Sequence, residues 1–383
     1  MKYSTFPHWP IIAVTAAIAV ILTLTLAPYG MRPSALFHVD AVMSTAHAPS
    51  NGFVVLDVPS YDGAQYYGIA RNMPVIFSPS RWNELPATLP TSYAYQRFLL
   101  PLCAWLLAAG QTPLLPYAFV LINIVSLIAA SVILWSATKS KLGTLAIALS
   151  PAAMVGLHFM IAEPLTILML TVFLTRFIRN NEKLGWLDVL VLALLPLSRE
   201  VNILFCGLLG VYLLCRRNWR DAFLCLIPLA TFLLLHGWMY QVFQEMPFIM
   251  SADKRTLPFE AMGELIIGSY GYNRLTLTSI PFALFVVIPA LFWTGNLILR
   301  NRDRSFAAIG SFVFLLLMTT MPDHIWGSIT SIGRVITPVY PLLILTCIRQ
   351  NTVTAKLLIA AMLSIGLGAG LSLASVIHPF HLA

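Results

Sequence analysis

Apolar runs of bilayer-spanning length recur from one end of the chain to the other, separated by short polar interruptions. Roughly 20 apolar residues in helical form cross a hydrocarbon core. By that measure, spans fall near 9–28, 115–138, 142–160, 163–179, 184–198, 201–217, 219–242, 275–299, 305–321, 334–350 and 354–377. The pattern predicts an all-α polytopic membrane protein with about eleven transmembrane helices. The stretch 97–109 is different, because about 13 apolar residues are too few to cross unaided and such lengths mark re-entrant or interfacial helices. The first run, Ile11 to Ala27, follows a single lysine and lacks a small-x-small cleavage site, so it reads as a retained span.

Two interruptions exceed turn length, at 29–96 and 243–274, and loops this long tend to be functional. In the first, Tyr66, Ile69, Ala70 and Met73 recur at helical spacing, which predicts a helix over 63–72 lying on the membrane surface. The second repeats the pattern with Phe259, Met262, Leu265 and Ile266, followed by Tyr270 and Tyr272 at interfacial depth. There is no internal repeat and no low-complexity stretch. No room is left for a separate soluble domain, so 1–383 reads as a single transmembrane domain.

Composition agrees: 58% of residues are hydrophobic and 10% are charged. The formal charge of +8 reflects orientation. Basic clusters at Lys139/Lys141, Arg176/Arg179/Lys183, Arg216/Arg217/Arg220, Arg300/Arg302/Arg304 and Arg349/Lys356, together with Lys2, lie at one set of span ends. The positive-inside rule assigns these ends, and the N-terminus, to the cytoplasm. A full crossing by 97–109 would carry Lys139 and Lys141 to the acidic face, whereas a dip from the outer surface keeps every basic cluster inside. The charge therefore calls for membrane lipids and for no nucleic acid. The five cysteines lie mostly within or at the ends of apolar segments and imply neither a disulfide framework nor a metal site.

With that topology drawn, Asp62, Arg97, His158, Glu163, Arg199, Glu200, Asp323, His324 and Arg334 gather at the outer membrane edge. Ionisable groups at this depth are costly unless they face a cavity or a partner, so their collection on one side marks a candidate site.

The runs Tyr61–Ala70, Tyr95–Leu106, Ala162–Pro164, Ser198–Glu200 and Gly333–Val335 resemble, in order, the GT-C superfamily of polyprenyl-phosphate-dependent glycosyltransferases, particularly the bacterial relatives of the GPI mannosyltransferases. The resemblance implies an inverting transfer of a monosaccharide from a polyprenyl-phosphate donor to a glycan, lipid or protein acceptor. It implies a site on the non-cytoplasmic face of a bacterial cytoplasmic membrane; an endoplasmic reticulum membrane with its lumenal face satisfies the same topology. An acidic residue in the first outer loop is the likeness's catalytic base, which here corresponds to Asp62. The second acid often paired with it is replaced by Tyr61, so no metal cofactor is expected.

Such a transfer needs a base for the acceptor hydroxyl's proton and a cation for the departing lipid phosphate. Asp62 suits the first role. Arg97, Arg199 and Arg334 suit the second, because a guanidinium's planar fork matches two phosphate oxygens. An ordinary carboxylate is a weak base, so neighbours must desolvate it or position it closely. Tyr61, Gln65, Tyr66, His158, Glu163, Glu200, Asp323 and His324 are candidates for binding or supporting the substrate.

Other readings of the same residues stand beside these. Asp62 and Gln65 fit a capping box, Arg97 and Arg334 can snorkel, Arg199 with Glu200 fits an ion pair in a tight turn, and Glu163-Pro164 is an ordinary helix start. His158, His324 and the loop tyrosines fit interface residues. At the level of function, a transporter or flippase of a lipid-linked saccharide and a ligase or polymerase of whole glycans are the alternatives.

Overall fold

The computed structural model describes residues 8–40, 53–56, 61–85, 92–244, 257–267, 274–335 and 337–376. Among them the chain is helical, and the one β pairing is an isolated bridge between Val39 and Val55. Among the described residues six helices are long and apolar enough to cross a bilayer: Trp9–Tyr29, Thr112–Thr138, Lys141–His158, Trp219–Phe243, Leu277–Leu299 and Val353–Ala374. Ile329–Val335 and Val339–Gln350, bent by 68°, make a seventh if taken together.

Among the described residues, helices of full spanning length thus account for six or seven of the eleven expected spans. The helices Trp186–Ser198, Asn202–Cys215 and Phe306–Thr319 are apolar but have 13, 14 and 14 residues, about 20 Å of rise each. Polar turns such as Ser198-Arg199-Glu200 cut them short. Glu163–Arg179 has 17 residues and carries Glu163, Arg176 and Arg179. The membrane character itself is plain from the outward faces. Leu234 is 75% exposed, Phe292 70% and Phe285 63%, an apolar exterior that suits lipid contact.

Serines organise the third span. Ser140 Oγ accepts the Gly143 N–H at 3.2 Å and Ser150 Oγ accepts the Ala153 N–H at 3.3 Å, each opening a helix as a side-chain cap. Lys141–Ala148 and Pro151–His158 thus form one span with a break at Leu149. The 97–109 stretch contains the helix Leu99–Leu107 of nine residues, about 13 Å long, too short to cross. It packs against Leu115–Thr138 and against Asp62–Arg71.

The first long loop differs from the expected surface helix. Asp62–Arg71 is helical, but Tyr66, Ile69, Ala70 and Met73 are all buried inside the protein. Ile69 and Met73 pack with Leu85, Tyr95 and Met239; the apolar stripe meets protein because the loop folds back over the bundle. In the second loop Glu260–Ile267 is helical with Met262 and Leu265 buried. Tyr270 and Tyr272 lie outside the described residues.

Ion pairs and charged hydrogen bonds link helices at both ends of the bundle. At one end Arg176 meets Asp188 (2.9 Å), Arg216 meets Glu182 (3.1 Å), and Asp303 accepts from Gln350 (2.7 Å). These sit at the C-terminal ends of Glu163–Arg179, Asn202–Cys215 and Val339–Gln350, among the basic clusters. The opposite ends of the same helices hold Glu163, Arg199, Glu200 and Arg334, about 25 Å away along the 17-residue Glu163–Arg179 helix.

Candidate active site

Tyr61 is extended (φ −114°, ψ 173°) and its N–H donates to the His38 carbonyl at 3.2 Å, setting up a helix that starts at Asp62. This helix begins against the backbone of the 158–163 turn. A Cβ on Gly63 would lie 2.1 Å from the Phe159 carbonyl oxygen, so only glycine allows the approach. The capping-box alternative is absent, since no side chain caps this N-terminus. The Asp62 carboxylate turns instead to two arginines.

Asp62 Oδ2 accepts from Nη1 of Arg97 and from Nη1 of Arg334, the latter at 2.5 Å. Each arginine is anchored independently of Asp62. Arg97 donates through Nε and Nη2 to both Glu200 oxygens at 3.1 and 3.0 Å, a bidentate fork. The Arg334 guanidinium lies 4.8 Å from the centroid of the Tyr61 ring, a cation–π distance. That ring sits 4.0 Å from the Phe159 ring, and the Tyr61 hydroxyl donates to the Thr330 carbonyl at 3.3 Å. Arg199 Nη1 donates to Glu163 and, at 2.8 Å, to the carbonyl of Arg334, which also accepts from Thr337 Oγ1 at 2.8 Å. The alternative reading of Arg199 with Glu200 as an ion pair in a tight turn gives way to exchanged partners: Glu200 serves Arg97 and Glu163 serves Arg199.

The cluster has a floor and a mouth. The Glu163 side chain is fully buried and those of Arg97 and Arg199 are 5% exposed, whereas Arg334, Asp62 and Glu200 reach 14%, 20% and 23%. Three guanidinium groups face three carboxylates, so the assembly is neutral, as buried charge must be nearly to persist.

Burial alone would raise the Asp62 pKa, but Arg334 and then Arg97 outweigh it and hold the carboxyl well below the usual carboxylate range. Burial likewise opposes ionisation of Glu200, yet Arg97 and Arg199 bring it down to about 2. Both are carboxylates at neutral pH. The arginines fix the position of the Asp62 carboxylate while lowering its basicity in this state.

Of the residues expected at the site, Asp62, Arg97, Glu163, Arg199, Glu200, Arg334 and Tyr61 come together. Tyr66 is buried nearby, and burial raises its phenol pKa. Gln65 is half-buried on the same helix. His158 points elsewhere: its Nε2 meets Thr25 Oγ1 at 3.0 Å and its Nδ1 the Met154 carbonyl at 3.0 Å, which makes it a satisfied interior histidine. Asp323 and His324 open the helix Asp323–Trp326, and their side chains lie outside the described residues. Phe159, the His38 carbonyl and the Thr330 carbonyl are contributors that sequence reading missed. Nothing distinguishes Phe159 among 22 phenylalanines, and backbone carbonyls leave no sequence signal.

A partly exposed carboxylate gripped by two fixed guanidinium groups can take up a proton, and the forks that hold it can hold another oxyanion. Compared with known proteins, the chain matches no family model, no curated protein and no solved structure.

Proposed function

We propose that the chain is an inverting glycosyltransferase of GT-C type, moving a monosaccharide from a polyprenyl-phosphate donor to a glycan, lipid or protein acceptor on the non-cytoplasmic face of a membrane. The resemblance of the five motifs points to a bacterial cytoplasmic membrane. The observation that carries the reading is the convergence of Arg97 and Arg334, from separate elements, on one oxygen of Asp62, whose side chain is 20% exposed. It lies at the end of the helices opposite the basic clusters, which by the positive-inside rule is the outer end.

In the reaction, the acceptor hydroxyl oxygen attacks the anomeric carbon from the face opposite the phosphate. Asp62 takes the hydroxyl proton as the new C–O bond forms. The bond from the anomeric carbon to the phosphate oxygen breaks, and its electron pair leaves with the polyprenyl phosphate. Arg97 and Arg334 stabilise the charge that develops there. Arg199 acts from the floor as a positioning residue, since it holds the Arg334 backbone carbonyl. The proton on Asp62 then passes to solvent or to the released phosphate, and the carboxylate is restored.

Purified protein in detergent micelles, given a polyprenyl-phosphate monosaccharide and an acceptor, is expected to release polyprenyl phosphate. Asp62→Asn is expected to lower the rate by roughly 10²–10⁴-fold while the protein stays folded. Movement of intact donor across vesicles without its consumption would establish a flippase instead, and turnover unaffected by Asp62→Asn would remove Asp62 from the chemistry.

A further inference from the structure

Two guanidinium N–H groups, Nη1 of Arg97 and Nη1 of Arg334, converge on a single point now filled by Asp62 Oδ2. Neither arginine depends on Asp62 for its place: Arg97 is held by the Glu200 fork and Arg334 by the Tyr61 ring. Removing the carboxylate would leave both donors aimed at the same spot. A further donor on the same arginine, Arg334 Nε, is buried without an acceptor among the described residues. A group with several acceptor oxygens would use the cluster's donors more fully than one carboxylate oxygen does. Asp62 itself is 20% exposed and sits at the mouth, so it has water to move into.

We propose that Asp62 occupies the seat of the substrate's phosphate group in the resting molecule, and that a phosphate ester binds by displacing this carboxylate from Arg97 and Arg334. The proposal rests on the transferase reading and names how that site is opened. A phosphodiester donor carries the same single negative charge as the carboxylate it replaces and keeps the guanidinium seat neutral, and a monoester such as farnesyl phosphate brings about −1.5 to −2 to the same seat. The displaced carboxylate loses its two arginine partners and regains ordinary basicity at the moment a donor is present. A site with no donor bound holds a paired, weakly basic Asp62. Binding of the leaving group and activation of the base are thereby one event.

The test measures binding of farnesyl phosphate to the purified full-length protein in micelles, with farnesol as the control lacking phosphate. Wild type is compared with Asp62→Asn and Glu200→Gln, and folding is checked by the thermal midpoint. Displacement predicts that Asp62→Asn binds farnesyl phosphate about tenfold tighter or more, because the competitor is gone and the donors remain. Glu200→Gln removes the same charge from the same arginine but also its anchor, and is expected to bind no tighter than wild type. Unchanged or weaker binding by Asp62→Asn overturns the proposal, as does equal tightening in both variants, which would reflect long-range charge alone. Binding of farnesol as tight as that of farnesyl phosphate overturns it too. If Asp62→Asn does not fold, Arg334→Lys reads the same seat and is expected to lose about tenfold in farnesyl phosphate affinity; undiminished affinity there has the same overturning force. Tightening in Asp62→Asn without transfer from any polyprenyl-phosphate sugar would remove the transferase reading and leave the displaced seat standing. Transfer without tightening would do the reverse.

Discussion

The floor of the cluster makes the sharpest energetic prediction. Glu163 is fully buried and Arg199 is 5% exposed, and the two are joined directly. At an effective dielectric of about 20 and a separation of about 4 Å, unit charges attract by about 4 kcal/mol. Breaking a buried pair by removing one partner costs about 3–5 kcal/mol, because the survivor is left desolvated without compensation. Glu163→Ala should therefore destabilise by about 3–4 kcal/mol, as Arg199 keeps only the Arg334 carbonyl at 2.8 Å. Arg199→Met should cost a similar amount through the stranded carboxylate. Replacing both at once, Glu163→Leu with Arg199→Met, leaves no unpaired charge and should return stability to within about 2 kcal/mol of wild type. The implied coupling is on the order of 3 kcal/mol or more, well outside the additivity expected of independent sites. Unfolding in mixed micelles, followed by far-ultraviolet circular dichroism as the denaturing detergent fraction rises, measures all four proteins. A double variant whose loss equals the sum of the singles, or singles that each cost less than about 1 kcal/mol, would refute the pairing argument.

Three other outcomes follow from the same geometry. Gly63→Ala places a Cβ 2.1 Å from the Phe159 carbonyl oxygen; it should cost about 1–3 kcal/mol of stability and reduce transfer as the Asp62 helix is pushed away, measured by thermal midpoint and turnover. Tyr61→Phe keeps the ring under Arg334 and should retain most activity, whereas Tyr61→Ala should weaken farnesyl phosphate binding by roughly 0.5–2 kcal/mol as the cation–π support is lost. Glu200 has a folded pKa of about 2, below its unfolded value of about 4.3. Its stabilisation is complete above the unfolded value and fades as pH falls from about 4 toward 2. Asp62, lowered by Arg334 and Arg97 against burial, adds an acid loss of the same sign. Unfolding scans should thus be flat between about pH 6 and 8 and fall on acidification; Glu200→Gln should flatten part of the acid limb.

How much of this was legible in the sequence depends on what each feature owes to local pattern. The helices owe most: apolar length, serine caps and polar turns sit within the segments they shape, and so the all-helical membrane class is readable directly. The span count was less so, since an apolar run records where lipid-compatible residues are and not where the helix stops. The run from Leu184 to Ser198 begins two residues before its helix does. The stripe of Tyr66, Ile69, Ala70 and Met73 was visible as a helical face, but periodicity does not say whether lipid or protein covers it, and here Tyr95 and Met239 belong to the cover.

The site residues were legible as a set because ionisable groups in an apolar chain must have a reason to be there. Their partners were not, and the physical cause is that pairing is fixed by contacts 35 to 272 positions apart in sequence. Adjacency made Arg199–Glu200 the natural guess. In the fold Arg199 is extended (φ −154°, ψ 135°), and successive side chains in extended backbone point to opposite sides. The two neighbours are sent apart, one down to Glu163 and one across to Arg97. That single extended residue separates the Glu163–Arg199 pair from the Arg97–Glu200 fork that meets Asp62. The division bears on the proposed function: the Glu163–Arg199 pair is expected to tolerate joint exchange for apolar residues, while Asp62, whose oxygen is shared between two anchored arginines, is the group that the proposed phosphate ester would displace.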